Sequence, residues 1–217
     1  MVTRKIYMPD KKCLAFFKES ADSKFWDSHW NTEEINEKAI RLKTNRIFLP
    51  VVRKYLKSGM SVLEGGCGVG NIVNALVYNG FMATGIDFAS KTVRMVNNIA
   101  PDLDIRIGDV RMLDFPDNTF DCYISGGVIE HFWEGYSDII KEMARVVKNG
   151  GFLITTFPSM STIRKRKAKA GLYATINFSD LSNERKNFYQ FALNHQEVIS
   201  DLENVGFKLI EIKKSMG

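Results

Sequence analysis

From residue 60 onward the chain alternates short β-branched runs with helix-length segments, and this alternation restricts the fold more than any other feature. The runs fall at 60–64, 81–86, 104–107, 120–125 and 151–157. Between them, Val69 to Tyr78, Ser90 to Ile99 and Gly135 to Val147 carry helical periodicity, and Lys148-Asn149-Gly150-Gly151 reads as a helix stop and turn. Strands that alternate with helices form βαβ units, so the expected fold is α/β, a doubly wound and mostly parallel sheet.

The flanks lack this rhythm. Residues 33–57 place Ile35, Ala39, Leu42, Leu49, Val52 and Leu56 at helical spacing, with Pro50 as a break or kink, which defines an expected N-terminal helical arm or lid over residues 1–57. Residues 58–217 form the expected main unit of a single structural domain. Within it, 158–193 reads as a lid insertion of mixed polarity with scattered aromatics. A helix from His195 to Asn204 and a strand from Phe207 to Ile212 then resume the pattern.

Charge follows the same division. The whole chain carries 30 Lys and Arg against 25 Asp and Glu, a net charge of +5. Residues 1–57 hold 13 basic and 7 acidic groups, 58–160 hold 7 and 12, and 161–217 hold 10 and 6, so the balances are +6, −5 and +4. A nucleic-acid partner is therefore permitted by the ends and discouraged by the middle. Cys13, Cys67 and Cys122 are odd in number, widely spaced and never in a C-x-x-C pair, which indicates neither a disulfide framework nor a zinc site and fits a reducing, cytoplasmic setting. No apolar run approaches the ~20 residues of a membrane span, and the N-terminus carries no apolar leader core.

The first strand runs into Glu64-Gly65-Gly66-Cys67-Gly68-Val69-Gly70-Asn71, a turn whose glycines permit positive φ and close approach of a ligand to backbone N–H groups. The dinucleotide fingerprint G-x-G-x-x-G would need glycine where Asn71 stands. Glu64 would oppose a pyrophosphate but suits an ammonium or sulfonium, so the loop favours a cationic nucleoside. Asp87 ends the second strand, where a carboxylate can take both ribose hydroxyls, and Asp109 follows the third. Each of these acids alone could be a helix cap or turn residue. Together they occupy three successive strand C-termini, the edge at which open α/β sheets bind ligands.

Taken in order, Glu64-x-Gly66-x-Gly68-x-Gly70, Gly85-Ile86-Asp87, Gly108-Asp109, Phe120-Asp121-Cys122-Tyr123-Ile124-Ser125 with Glu130-His131, and Val147-Lys148-Asn149-Gly150-Gly151-Phe152 resemble the motifs of class I S-adenosylmethionine-dependent methyltransferases of the small-molecule type. The resemblance covers residues 35–157 firmly and 195–213 more loosely. It implies a Rossmann-like fold, S-adenosyl-L-methionine as cofactor, and methyl transfer to a small-molecule acceptor, with oxygen or nitrogen preferred over carbon. An RNA-directed methyltransferase and a non-catalytic binder of the cofactor stand as alternatives. The family sheet has seven strands, of which six are readable, so the seventh is expected to be missing from a shortened chain. Gly65 replaces the apolar residue usual at that position.

By the same resemblance, Glu64, Gly65, Gly66, Cys67, Gly68, Gly70 and Asn71 would hold the methionine part of the cofactor. Asp87 would take the ribose, Phe88 or Ala89 an adenine face, and Gly108, Asp109 and Val110 the adenine edge. Ser125, Gly126 and Gly127 would line the cofactor near its sulfonium. Cys67 has no basic neighbour in sequence and reads as a packing residue. His131 is the candidate base. Trp26 and Trp30, in Phe25-Trp26-Asp27-Ser28-His29-Trp30-Asn31, would join His131 and Tyr189 around the acceptor. Tyr173, Phe178, Phe188 and Phe191 are further aromatics that either enclose the acceptor or form the insertion's own core. Gly127 stands where the E-x-x-E-H set of metal-dependent RNA ribose methyltransferases has its first Glu, so no metal is expected even with His195 and Glu197 available. The Asn/Asp-Pro-Pro-Tyr motif of adenine amino methyltransferases is absent. Arg164-Lys165-Arg166-Lys167-Ala168-Lys169 reads as a solvated charge run, or as a surface for an anionic partner.

Overall fold

The computed structural model describes residues 3–18, 20–30 and 37–214 of the chain. Asn31 and Ile35 of the expected arm lie outside the described residues.

An N-terminal hairpin, β1 (Arg4–Met8) and β2 (Cys13–Phe17), is followed by three short helices, α1 (Ser23–Trp30), α2 (Glu37–Ile40) and α3 (Phe48–Tyr55). Then come β3 (Ser61–Gly65), α4 (Asn71–Tyr78), β4 (Met82–Asp87), α5 (Ser90–Ile99), β5 (Asp104–Ile107), β6 (Phe120–Gly126), α6 (Ser137–Val146) and β7 (Val147–Thr156). The remainder is α7 (Thr162–Lys169), β8 (Ala174–Thr175), β9 (Phe188–Ala192) and α8 (His195–Asn204).

Strands β3 to β7 form one five-stranded sheet in the order β5-β4-β3-β6-β7, with every pairing parallel. The alternating side chains of its strands feed two cores. On one face Leu63 and Tyr123 meet Ile139, Ile140 and Met143 of α6 and Val198 of α8. On the other, Val62, Cys122 and Ile124 meet Phe48, Leu49 and Val52 of α3, Val73 and Leu76 of α4, and Val93 and Val96 of α5. A side chain as fully buried as Leu63 or Ile124 contributes about 1.5–3 kcal/mol, so a sheet covered on both sides is the stable arrangement for strands this apolar.

The helical arm is corrected in its first part. Residues 4–17 form a hairpin, turned at Pro9–Lys12 with Lys12 at φ 45° and its N–H on the Pro9 carbonyl. Ile6, Met8 and Phe17 point into the core shared with Phe188 and Phe191, and this period-2 burial holds the segment extended. Pro50 does not break a helix. It is the third residue of α3, within the first turn, where the missing N–H has no intrahelical partner to lose.

The insertion supplies the rest of a second sheet. β9 pairs antiparallel with β2 (Leu14 with Ala192, Ala15 with Phe191), and β8 pairs parallel with β1, giving the order β8-β1-β2-β9. The glycine turn after α6 is also corrected. Lys148–Gly150 bulges within β7, which pairs Val147 with Phe120 and Phe152 with Cys122, and Gly150 takes φ 79°. Phe207–Ile212 is not a strand: it runs with no ladder partner among the described residues, held to α3 by Glu211, which accepts from Lys54 Nζ at 2.8 Å and Tyr55 OH at 3.0 Å.

Candidate functional site

The C-terminal ends of β3, β4 and β6 converge on the glycine turn. Gly66, Gly68 and Gly70 take φ of 73°, 52° and 72°, a region only glycine enters without strain, and Gly70 caps α4. The Gly66 and Cys67 N–H groups donate to the Ile86 carbonyl at 2.8 and 3.0 Å, which ties the turn to β4. Gly65 is fixed by its neighbour, since a Cβ there would overlap the Tyr123 hydroxyl.

Asp87 organises this edge. One carboxylate oxygen accepts the Gly68 N–H at 2.8 Å and the other accepts the Ala89 N–H at 2.8 Å. Burial raises its pKa despite these two bonds. A carboxylate has about four acceptor positions, so two remain for a ligand's hydroxyls. Ala89 is fully buried, so its contribution is the N–H, while the Phe88 ring is exposed and free to face a base. Asn71 opens α4 behind the turn.

Glu64 is buried on the opposite side of the turn, with one oxygen, Oε2, lacking a partner among the described residues. Burial pushes its pKa well up, and the nearby Asp87 charge adds to that. An unpartnered buried carboxylate beside a glycine turn fits an ammonium-bearing ligand. Cys67 is buried too, and burial together with the Glu64 and Asp87 charges pushes its thiol far above the range of a reactive thiolate.

At the end of β5, the Gly108 N–H donates to the Asp87 carbonyl at 3.0 Å, and Val110 is buried. The Asp109 carboxylate is held by the Arg111 guanidinium at 2.6 Å, which lowers its pKa. Gly108 and Asp109 border a cleft of about 110 Å³ that includes Ile86, Met112 and Phe115. Asp121, quoted in the fourth motif, sits at the other end of the sheet, where it accepts from Ser61 and Lys148.

Beyond β6, Ser125 is fully buried with its hydroxyl unpartnered among the described residues. A Cβ on Gly126 would press on Phe48 at 3.0 Å, and Gly127, at φ 72°, donates its N–H to the Thr156 carbonyl. The chain then makes a 3-10 turn, Ile129–His131. His131 Nδ1 lies 2.8 Å from the Tyr189 carbonyl oxygen. A carbonyl only accepts, so Nδ1 carries the proton and Nε2 keeps its lone pair. Burial lowers the His131 pKa and keeps the ring neutral.

Trp26 and Tyr189, distant in sequence, meet at this imidazole, and Trp30 extends the group. The Trp26 ring sits edge-on to His131 at 5.0 Å and the Tyr189 ring at 5.2 Å, and Trp26 stacks with Trp30 at 6.2 Å. Trp30 lies over the glycine turn, 3.1 Å from where a Gly68 Cβ would stand. The other insertion aromatics belong to cores: Phe178, Phe188 and Phe191 pack on Trp133, and Tyr173 packs near Leu14 and Met160. Glu197 pairs with Lys12, and no group of three or more His, Cys, Asp or Glu gathers for a metal among the described residues.

One contact escaped the sequence, and one motif residue has surroundings that the sequence could not show. Asp27 ties α1 to the start of α5, and no local pattern marks a contact of that span. Glu130 is buried with one unpartnered oxygen, and burial raises its carboxyl to about 8.

The parallel sheet, the glycine turn and the acids at its C-terminal edge define a nucleoside-cofactor-binding α/β domain. Residues 63–155 match the family model described as a methyltransferase domain. A probable S-adenosylmethionine-dependent methyltransferase of Mycolicibacterium smegmatis is 29% identical over 161 residues, covering 74% of this chain, and the chain spans 55% of that protein. A ubiquinone biosynthesis O-methyltransferase of Coxiella burnetii is 28% identical over 216 residues, covering 94% of this chain and 84% of that one. In fold, the chain resembles a SAM-dependent methyltransferase structure from Methanosarcina mazei, with a TM-score of 0.62, 23% identity, and coverage of 75% and 86%. Residues 63–155 are thus similar to a methyltransferase domain, and the fold and the relatives are those of class I S-adenosylmethionine-dependent methyltransferases, which implies S-adenosyl-L-methionine as the cofactor.

Proposed function

We propose that the chain methylates a hydroxyl or amine of a small-molecule acceptor, with oxygen the preferred atom and His131 the base. The observation that carries this reading is the His131 Nδ1 contact with the Tyr189 carbonyl, which leaves a neutral Nε2 inside an aromatic enclosure. The name of the Coxiella relative, an O-methyltransferase, supports oxygen.

When bound, the cofactor supplies an already electrophilic methyl group, so the protein's work is orientation, exclusion of water and removal of one acceptor proton. Glu64 would hold the ammonium, Asp87 the ribose hydroxyls and the cleft at Gly108 and Asp109 the adenine. Ser125, Gly126 and Gly127 would line the methyl-bearing side. Trp26, Trp30 and Tyr189 would exclude water and stack on the acceptor, while His131 Nε2 takes its proton. Residues 1–57 and 158–193 act together as the lid on this side, a role supported by the sheet they share. Three unpaired, buried cysteines favour the cytoplasm as the setting.

The test is transfer of label from S-adenosylmethionine to a panel of phenols, amines and carbon acids, beside an RNA panel. Label on a small hydroxyl or amine, lost in His131→Asn while cofactor binding persists, is the expected result. Labelling of RNA alone, or cofactor binding without any transfer, would defeat the reading.

A further inference from the structure

Helix α7 holds Arg164, Lys165, Arg166, Lys167 and Lys169, and the stretch from residue 158 to 177 contains no Asp or Glu. Among the described residues none of these five cations makes an ion pair. The helix is nonetheless firmly seated. Ser161 caps it by accepting the Arg164 N–H, Arg164 donates to the Ser159 carbonyl at 2.6 Å and lies 5.6 Å over the Phe16 ring, and Ala168 packs near Leu14 and Met160.

That seating fixes which side faces out. Residues spaced three and four apart share a helix face, so Ile163, Arg166, Lys167 and Ala170 point away from the small sheet together. All four are exposed, with Ile163 at 66%. The helix ends with the Gly171 and Leu172 N–H groups on the carbonyls of Ala168 and Lys167, a closure that leaves Leu172 67% exposed one turn beyond. Lys5 lies over the same Phe16 ring as Arg164 and extends the basic surface onto β1.

We propose that the outward face of α7, with Leu172, is a docking surface for an anionic phospholipid bilayer. Unpaired cations ringing exposed aliphatic side chains suit phosphate headgroups above acyl chains. A single-stranded nucleic acid would call for exposed aromatics to stack on, and the aromatics beside this helix, Phe16 and Tyr173, are half-buried against Leu14 and Met160. Because α7 follows β7 at the sheet edge that carries Glu64 and Asp87, docking holds that edge towards the bilayer. No described helix is long and apolar enough to cross a membrane, so the attachment is peripheral.

The experiment is flotation of the full chain with vesicles of phosphatidylcholine, with and without phosphatidylglycerol, at low and high salt, beside a bulk RNA. Binding to the anionic vesicles alone, weakened roughly tenfold or more by salt and by Arg166→Glu with Lys167→Glu, is expected. Ile163→Ser with Leu172→Ser should weaken it too while leaving the salt dependence. These side chains face solvent, and unchanged circular dichroism and thermal midpoint confirm intact variants. No vesicle binding, vesicle binding indifferent to both pairs, or binding to RNA instead of vesicles would overturn the proposal.

Discussion

Asp27 caps a helix to which it does not belong. Its Oδ1 accepts the Thr92 backbone N–H at 3.0 Å and the Lys91 N–H at 2.9 Å, with the Thr92 hydroxyl at 3.3 Å. The N-cap residue of α5, Ala89, has no side chain able to do this, so α1 supplies the missing acceptor and is latched down in return. Trp30 at the end of α1 thereby stays over the glycine turn.

Asp27→Ala removes both the cap and the latch. The expected outcome is a loss of about 1 kcal/mol in stability together with faster cofactor dissociation, read by denaturant melts and stopped-flow fluorescence of Trp30. Asp27→Asn, which keeps one acceptor oxygen, should restore most of both. Unchanged dissociation in Asp27→Ala would show that α1 is held by packing alone.

As the proposed base, His131 should set the acid limb of the rate profile. Its pKa is lowered by burial, so the neutral base persists below pH 6.5 and is lost only as pH falls through the depressed value. The kcat/KM profile should fall with unit slope on the acid side, with an apparent pKa below 6.5. His131→Asn should remove that limb and leave the affinity for S-adenosylhomocysteine within about twofold.

Glu64 should couple cofactor binding to proton release. Its pKa is raised by burial, which favours the protonated form in the free protein, and a bound ammonium favours the ionised form. Affinity should therefore rise with pH, and calorimetry in two buffers of different ionisation enthalpy should show a proton released. Glu64→Gln should abolish the release and weaken binding ~10²-fold. The same change should make the free protein relatively more stable above the folded pKa of Glu64, because a carboxyl whose folded pKa is raised loses stability as pH climbs from its unfolded value through its folded one. Equal proton release in both proteins would move the coupling to Asp87.

The Gly65 and Tyr123 pair predicts a rescue. Gly65→Ala places a methyl on the Tyr123 hydroxyl and should cost about 1–3 kcal/mol. That hydroxyl is buried without a partner among the described residues, so Tyr123→Phe alone should be neutral or stabilising, and the double variant should recover part of the loss, the ring carbon Cζ still lying 2.7 Å from the added methyl. A double-mutant cycle in urea measures the coupling, and strict additivity would contradict the geometry.

The sheet was legible because its apolar runs are long and regularly spaced, and helices such as Ser90–Ile99 and His195–Asn204 carry a clear 3.6-residue period. The small sheet was not. Its strands have five residues or fewer, and β1 and β2 turn on Pro-Asp-Lys-Lys, where Lys12 takes the positive φ that glycine usually supplies. The pairing of β2 with β9 is decided by Phe17, Phe188 and Phe191 packing around Trp133, a contact with no local trace. For the same reason the sequence named Tyr189 beside His131 but left open whether Phe188 and Phe191 enclose the acceptor or fill the core, and they fill the core. The strand expected at Phe207–Ile212 has the right residues and lacks a neighbour to bond with, which no pattern along one segment reveals.

The pairing of Leu14 with Ala192 also bears on how the molecule is made. A chain emerging from the ribosome presents β1 and β2 at once, yet β9 arrives only after the five-stranded sheet has been synthesised. Until then both edges of the hairpin are unpaired, since β8 also arrives late, and no floor of Phe188 and Phe191 lies beneath it, so closing this long loop should be the slow step of assembly. The enclosure around His131 would be the last part of the protein to form, and refolding followed by Trp26 fluorescence should lag behind the appearance of the parallel sheet.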